Sequence, residues 1–173
     1  DSTLNTTVTT IFNGGTTSFR GLPGQFLGVG NKMNLAGGTV NFVTTDSLKV
    51  DTLLVNGTLG GNNHWYVRKL LQLTGGTITS ADSALSITIP VGGAFLWSGN
   101  GTIDTRTIFN YGIATWSSPW GFSGGVYNNM PGALTDLTTD YNSNWFFATP
   151  KPYFNNYGTL RKSGGTGLSS FEY

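Results

Sequence analysis

Short segments of alternating apolar and polar residues run along most of the chain and predict β-strands. The clearest is Leu85–Ile89, which stops at Pro90, a residue with no backbone N–H to donate to a ladder. Thr39–Val43 and Leu48–Val55 are rich in Val and Leu and contain no strand breaker. The only candidate helix, residues 134–147, is rich in Thr, Asp and Asn, which argues against it. The pattern therefore predicts an all-β chain.

A three-residue phrase recurs along the chain: Gly, then a small residue, then an aliphatic one. Its copies begin at Gly38, Gly57, Gly76, Gly101, Gly132 and Gly158, with a weaker copy at Gly112. The first three copies are 19 residues apart, and later steps are longer. Spacing near one value with insertions is typical of stacked solenoid rungs, in which glycine permits the turn before each strand. We therefore predict parallel strands with equivalent inward positions for Val40, Leu59, Ile78, Ile103 and Leu160.

The repeat predicts one domain, a parallel β-helix (β-solenoid) with an aromatic-rich loop insertion. A β-sandwich or jelly roll is the alternative, in which the repeat would be accidental. The predicted segments are an entry rung or cap at 1–33, regular rungs at 34–109, elaborated loops at 110–157 and a final rung at 158–173. The third segment stands out because Trp, Tyr, Asn and Pro are concentrated in it.

A resemblance to a known family lies near the C-terminus. It is carried by Phe154–Gly167, with the sequence F-N-N-Y-G-T-L-R-K-S-G-G-T-G. This segment resembles the N-x-G-T-L-x-K-S-G-G-T runs of very large bacterial surface proteins, which are similar to filamentous haemagglutinins and autotransporter passengers. The resemblance implies a right-handed parallel β-helix with a role in adhesion or surface structure. The aromatic-rich segment and the irregular spacing after Gly76 depart from that pattern.

Composition excludes several classes of protein. Charged residues make up 10% of the 173 residues, against about 25% in a typical soluble domain, and Glu172 is the only glutamate. Long helices draw on Glu, Lys, Ala and Leu, so a helical bundle, a coiled coil or an α/β enzyme with several crossover helices is excluded. The 11 Phe, 7 Tyr and 5 Trp supply apolar surface that disordered chains lack.

Charge and cysteine content predict the compartment and exclude two partners. The net charge is +1 and the cations are scattered, so no basic face for nucleic acid is expected. No apolar run approaches the ~20 residues of a membrane-spanning helix. The absence of cysteine removes disulfides and thiol chemistry. The chain begins at Asp1, so we expect either a removed signal or a segment of a longer chain. Richness in Gly, Thr, Ser and Asn predicts an extracellular or cell-surface protein.

The residues offer little for catalysis. His64 is the only histidine and no G-x-S-x-G motif occurs, so neither a Ser-His-Asp site nor a histidine metal site is expected. A carboxylate pair on a β-helix enzyme would need acids at the same offset from the repeat glycine, and Asp82 and Asp104 do not share one. Asp136 and Asp140 could share a loop. We predict no catalytic residue, metal or cofactor, with a polysaccharide-active lyase or hydrolase as the alternative.

Aromatic residues of the segment 110–157 are the predicted ligand-binding site. They are Trp116, Trp120, Tyr127, Tyr141 and Trp145, with Trp116 and Trp120 expected as an exposed pair. Sugar rings stack on such side chains, although tryptophans also fill interiors and seal solenoid ends. The predicted function is a non-enzymatic structural or adhesive segment, with a carbohydrate-binding module as an alternative. The predicted partners are a cell-surface glycan or neighbouring solenoid segments of the same protein.

Overall fold

The computed structural model describes residues 9–24, 29–118, 121–140, 142–145 and 151–171 of the 173-residue chain. These residues form twenty strands and no helix. The first ten strands are β1 Thr9–Phe12, β2 Thr16–Arg20, β3 Lys32–Leu35, β4 Thr39–Val43, β5 Leu48–Val55, β6 Thr58–Gly61, β7 Trp65–Leu73, β8 Thr77–Thr79, β9 Ser86–Ile89 and β10 Ala94–Trp97. The others are β11 Thr102–Asp104, β12 Thr107–Asn110, β13 Ile113–Trp116, β14 Gly121–Ser123, β15 Val126–Asn129, β16 Leu134–Leu137, β17 Asn142–Trp145, β18 Tyr153–Asn156, β19 Thr159–Lys162 and β20 Ser170–Phe171.

The strands stack in parallel ladders on three faces. Face 1 contains β9, β12, β15 and β18, and face 2 contains β1, β3, β10, β13, β16 and β19. The long strands β5 and β7 contribute to both faces, because the start of β7 pairs with β9 and its end pairs with β10. Face 3 is an eight-stranded sheet in the order β2-β4-β6-β8-β11-β14-β17-β20. The described residues thus form a parallel β-solenoid, and the jelly-roll alternative is wrong.

The predicted inward ladder is confirmed for four of its five residues. In face 3, Leu59 is the register partner of both Val40 and Ile78, and Ile103 pairs with Ile78. All four side chains are buried. In-register parallel strands point equivalent residues the same way, so each rung adds one aliphatic layer to the core.

Leu160 does not belong to this ladder. It pairs with Thr135 of β16 on face 2, in the last described rung, and is 37% exposed. From β9 onward each turn contains three strands, whereas each earlier turn of the described residues contains two. The glycine phrase precedes face 3 at Gly76 and Gly101, but it precedes face 2 at Gly132 and Gly158.

The aromatic-rich segment continues the solenoid. Strands β13 to β18 lie within residues 110–157, where elaborated loops were expected. Trp116 is the register partner of Trp97, with ring centroids 5.7 Å apart in an edge-to-face arrangement. The segment 1–33, predicted to be an entry rung or cap, contains β1 and β2, which pair in parallel with β3 and β4. Both segments are rungs in their described parts.

A ladder of asparagines, of which Asn110 and Asn129 are fully buried, fixes the corner between faces 1 and 2. Asn110, Asn129 and Asn156 are register partners at the ends of β12, β15 and β18. The Nδ2 atom of Asn110 donates to the backbone oxygen of Leu134 at 3.3 Å, and that of Asn129 donates to Thr159 at 2.9 Å. The amides of Asn110 and Asn129 thus bond to the following rung of face 2.

A buried arginine fixes the corner between faces 3 and 1. Arg106 is fully buried and donates to the backbone oxygens of Asn63 at 2.8 Å, Gly61 at 3.0 Å and Thr79 at 3.1 Å. Burial lowers the pKa of Arg106 to about 10, so the guanidinium remains charged at neutral pH. One side chain therefore satisfies three carbonyl groups from two lower rungs.

Candidate functional site

Two of the predicted ligand-binding residues lie in the core. Trp116 and Tyr127 are both 0% exposed, and their rings pack edge to face with centroids 4.8 Å apart. The Tyr127 hydroxyl is 2.8 Å from Oγ1 of Thr135, and burial raises the pKa of Tyr127. The prediction that these two residues form a binding surface is wrong, because both occupy inward positions of their strands.

Of the other three predicted residues, only Trp145 lies among the described residues. Trp120 and Tyr141 lie outside the described residues. Trp145 belongs to β17, where its backbone is the register partner of Phe122 in β14. A role for these three residues in ligand binding stays a prediction.

The structure places a different set of aromatic residues at the surface. Tyr66, Thr88, Pro90, Val91 and Tyr111 line an open groove of about 420 Å³ at the corner between faces 1 and 2. Three successive rungs contribute to this tyrosine groove, so its two tyrosines lie two rung steps apart along the solenoid axis, a rise of ~10 Å. Tyr66 and Tyr111 are exposed, and Val91 is 84% exposed.

Backbone geometry presents the groove residues to solvent. The backbone N–H of Gly93 donates to the oxygen of Pro90 at 2.9 Å and closes a tight turn after β9. Gly92 in this turn has a φ of +81°, a conformation that side chains disfavour, and Val91 is carried outward at its tip. The N–H of Tyr111 donates to the oxygen of Ile89 at 2.8 Å, which places Tyr111 beside Pro90.

Charged residues flank the lower end of the tyrosine groove. Lys49 of β5 is the register partner of Tyr66. Asp51 accepts ion pairs from Arg68 at 2.5 Å and Lys69 at 2.8 Å. The Lys69 ammonium, followed by the Arg68 guanidinium, holds the pKa of Asp51 below its usual value, although burial opposes this. Asp51 is therefore ionised at neutral pH.

The only histidine contacts a serine of the next rung. Nδ1 of His64 is 2.9 Å from Oγ of Ser86 and accepts the backbone N–H of Ser86 at 3.3 Å. Ser86 is buried, so a substrate would not reach its hydroxyl. This contact joins two rungs at a corner and offers no accessible nucleophile.

The predicted acidic pair is divided between two separate ion pairs. Asp136 accepts from Arg161 at 2.6 Å and from Ser163 at 2.9 Å, and Asp140 accepts from Lys162 at 2.7 Å. The partner side chains all lie in the segment that carries the family resemblance. No group of three or more metal-binding side chains occurs among the described residues.

Comparison with family models, with curated proteins and with solved structures found no match to this chain. Within the described ranges, no helix is long and apolar enough to span a membrane. Fold and surface together define the class: a parallel β-solenoid with an exposed tyrosine groove at one corner.

The sequence contained a signal for half of this groove. Tyr66 alternates with the inward residues Trp65 and Val67, and shares the outward side with Arg68. Tyr111 follows the last residue of β12 and precedes a corner glycine. Alternation thus places Tyr66 outside, but the proximity of the two tyrosines depends on rung stacking between strands distant in sequence.

Proposed function

We propose that this chain is a non-enzymatic, extracellular structural and adhesive segment of a bacterial surface or secreted protein, and that its tyrosine groove binds carbohydrate. The observation that carries the proposal is the exposed pair Tyr66 and Tyr111, held with Pro90 and Val91 on three stacked rungs. Tyrosine rings stack on the C–H faces of sugars and their hydroxyls bond to sugar hydroxyls. A tyrosine side chain has only two torsion angles, so it loses little conformational entropy when a ligand fixes it in place.

A rigid scaffold favours binding over chemistry at this surface. The groove is lined by side chains that carry neither a carboxylate nor an imidazole. Asp51, the acid beside it, is paired with two cations. General acid–base work on a glycosidic bond uses two carboxyl groups flanking the sugar. This arrangement supports a binding role.

The structural role rests on the edges of the three faces. Strands β18, β19 and β20 end their ladders in the described residues and pair on one side with β15, β16 and β17. Unpaired strand edges offer backbone donors and acceptors to a further strand. A neighbouring solenoid segment of the same protein is the partner that we propose for this edge.

Binding to a glycan array, followed by titration of the selected glycan, tests the adhesive role. We expect Tyr66→Ala and Tyr111→Ala each to weaken binding about tenfold, as truncated aromatic anchors generally do. Tyr157→Ala is the matched control, because Tyr157 is also exposed but lies outside the groove. Melting temperatures should stay close to that of the native chain for all three variants.

Two results would contradict the proposal. One is the absence of binding to every glycan by a folded protein. The other is a selected glycan that binds Tyr66→Ala and Tyr111→Ala as tightly as it binds the native chain.

A further inference from the structure

We infer that the tyrosine groove selects anionic glycans, whose rings carry carboxylate or sulfate groups, over neutral ones. The inference rests on the proposed carbohydrate binding and adds the chemical class of the ligand. It is carried by cationic side chains that the register and the corner geometry place beside Tyr66.

Lys49 lies one rung below the groove. It is the register partner of Tyr66, so the two side chains leave the same face at a separation of one rung step, ~4.8 Å. Lys49 is exposed, and no ion-pair partner for it occurs among the described residues. Its ammonium group is available to a ligand that extends below Tyr66.

Arg68 and Lys69 lie beneath the turn that carries Pro90 and Val91. The backbone oxygen of Arg68 is 3.2 Å from the position that a Cβ atom on Gly93 would occupy, so the two segments are in direct contact. The Arg68 and Lys69 side chains are 50% and 73% exposed. Both cations are therefore accessible next to the groove wall.

The local charge balance is positive. Three cations, Lys49, Arg68 and Lys69, and one acid, Asp51, give a net charge of +2 at this end of the groove. The acid is less accessible than its two partners, because the Asp51 side chain is 16% exposed against 50% for Arg68 and 73% for Lys69. The five lining residues are uncharged. A ligand on the groove therefore meets a positive field.

An anionic glycan satisfies both features at once. Its rings stack on Tyr66 and Tyr111, while charged ring substituents approach Lys49 and the outer faces of Arg68 and Lys69. Attraction between exposed charges is modest and is screened by salt, with a Debye length of ~8 Å at physiological ionic strength. Selectivity by charge should consequently fall as salt is added, whereas stacking should persist.

The test compares matched polymers on the full chain. The probes are polygalacturonate and its fully methyl-esterified form, which differ in ring charge, and dextran sulfate and dextran, which separate sulfate from carboxylate. We expect at least one anionic polymer to bind about tenfold more tightly than its neutral counterpart at low salt. Lys49→Gln should weaken that binding about two- to fivefold, and adding Lys69→Gln should weaken it further.

Arg20→Gln is the matched control, because Arg20 is an exposed cation on face 3 and its loss changes the net charge equally. Equal effects of Lys49→Gln and Arg20→Gln would overturn the inference, since net charge alone would then explain them. Anionic binding that survives Tyr66→Ala unchanged would also overturn it.

Failure of the inference can be distinguished from failure of the proposed function. If neutral and anionic polymers bind equally and both lose affinity in Tyr66→Ala, the groove binds carbohydrate without charge selection, and only the inference is wrong. If no polymer and no arrayed glycan binds the folded chain, the proposed function is wrong as well.

Discussion

Asn129 donates through Nδ2 to Oδ1 of Asn156 at a distance of 2.7 Å. The same relationship exists one rung below, where Nδ2 of Asn110 donates to Oδ1 of Asn129 at 3.2 Å. Each amide thus links its neighbours along the solenoid axis while it also satisfies a backbone carbonyl. A polar residue inside this fold therefore joins successive rungs.

Replacing the middle residue of this asparagine ladder should destabilise the protein. Asn129→Ala removes the bonds to Asn110, Asn156 and Thr159 and leaves buried polar groups unsatisfied, so we expect a loss of about 1–3 kcal/mol in unfolding free energy. Chemical denaturation measures it. Asn155→Ala is the control, because Asn155 of β18 bonds to Asn128 and takes no part in the asparagine ladder. Equal losses in both variants would contradict a special role for the internal ladder.

Replacement of Arg106, even by lysine, should destabilise the protein. Arg106→Lys retains the charge but loses the fork that reaches three carbonyl oxygens, so buried acceptors remain unpaired. We expect both Arg106→Lys and Arg106→Ala to lower the unfolding free energy by at least about 3 kcal/mol. Denaturant titration beside Arg20→Ala, an exposed arginine, provides the comparison. A lysine variant as stable as the native chain would show that charge alone suffices.

Two glycines with the same backbone strain should differ in their tolerance of alanine. Gly76 and Gly92 have φ values of +66° and +81°. A Cβ on Gly76 would collide with the backbone oxygen of Gly57 in the rung below, whereas a Cβ on Gly92 meets open space. Gly92→Ala should cost about 1–2 kcal/mol from strain alone, and Gly76→Ala should cost clearly more. Thermal unfolding of the pair measures the difference, and equal losses would exclude a contribution from rung contact.

Trp116→Ala should act on stability. Its ring is buried between Trp97 and Tyr127, and removal of such a side chain costs about 3–5 kcal/mol. The measurement is the midpoint of chemical denaturation, with Tyr111→Ala as an exposed aromatic control. A variant with native stability and lost glycan binding would restore the original expectation of a surface role for Trp116.

Acid should weaken the C-terminal rungs through Asp136. The Arg161 guanidinium holds the pKa of Asp136 below the ordinary value of 3.8, with the Ser163 hydroxyl adding to the effect. A carboxyl group whose pKa is lower in the folded state stabilises the fold above its unfolded pKa, and that stability is lost as pH falls below about 3.8 through the folded pKa.

The test is the melting temperature of the native chain and of Asp136→Asn as pH is lowered from neutral. The variant should melt a few degrees lower at pH 7, and the difference should shrink below about pH 4 as Asp136 is protonated in the native chain. Asp82→Asn, in an exposed turn, is the control. A difference that does not change with pH would mean that Asp136 acts through shape and not through charge.

The fold was predictable because inward apolar residues recur at a regular interval along the chain. Val40, Leu59 and Ile78 stand 19 residues apart and share one inward ladder. The same interval separates Trp97 from Trp116, which are register partners. That spacing marks Trp116 as a rung residue, although its aromatic neighbourhood had suggested a loop.

The site was less predictable because it depends on relations between strands. Tyr66 meets Lys49 only through the register of β5 and β7, which shifts between Val50 and Thr52. Leu160 lies on face 2 because the same glycine phrase also occurs before strands of that face, at Gly132 and Gly158. Alternation within one strand assigns inside and outside, but it does not determine register across a bulge.

The long paired strands β5 and β7 determine where along the solenoid axis folding should begin. They are 8 and 9 residues long, whereas most other strands have 3 to 5. In a solenoid each rung contacts only its neighbours, so stability resembles that of a one-dimensional lattice with local coupling terms. The strongest coupling lies between the rung that contains β7 and the rung that contains β5. We expect order to start at these rungs and to propagate toward both ends, so that partially folded molecules retain the rungs that carry Lys49 and Tyr66.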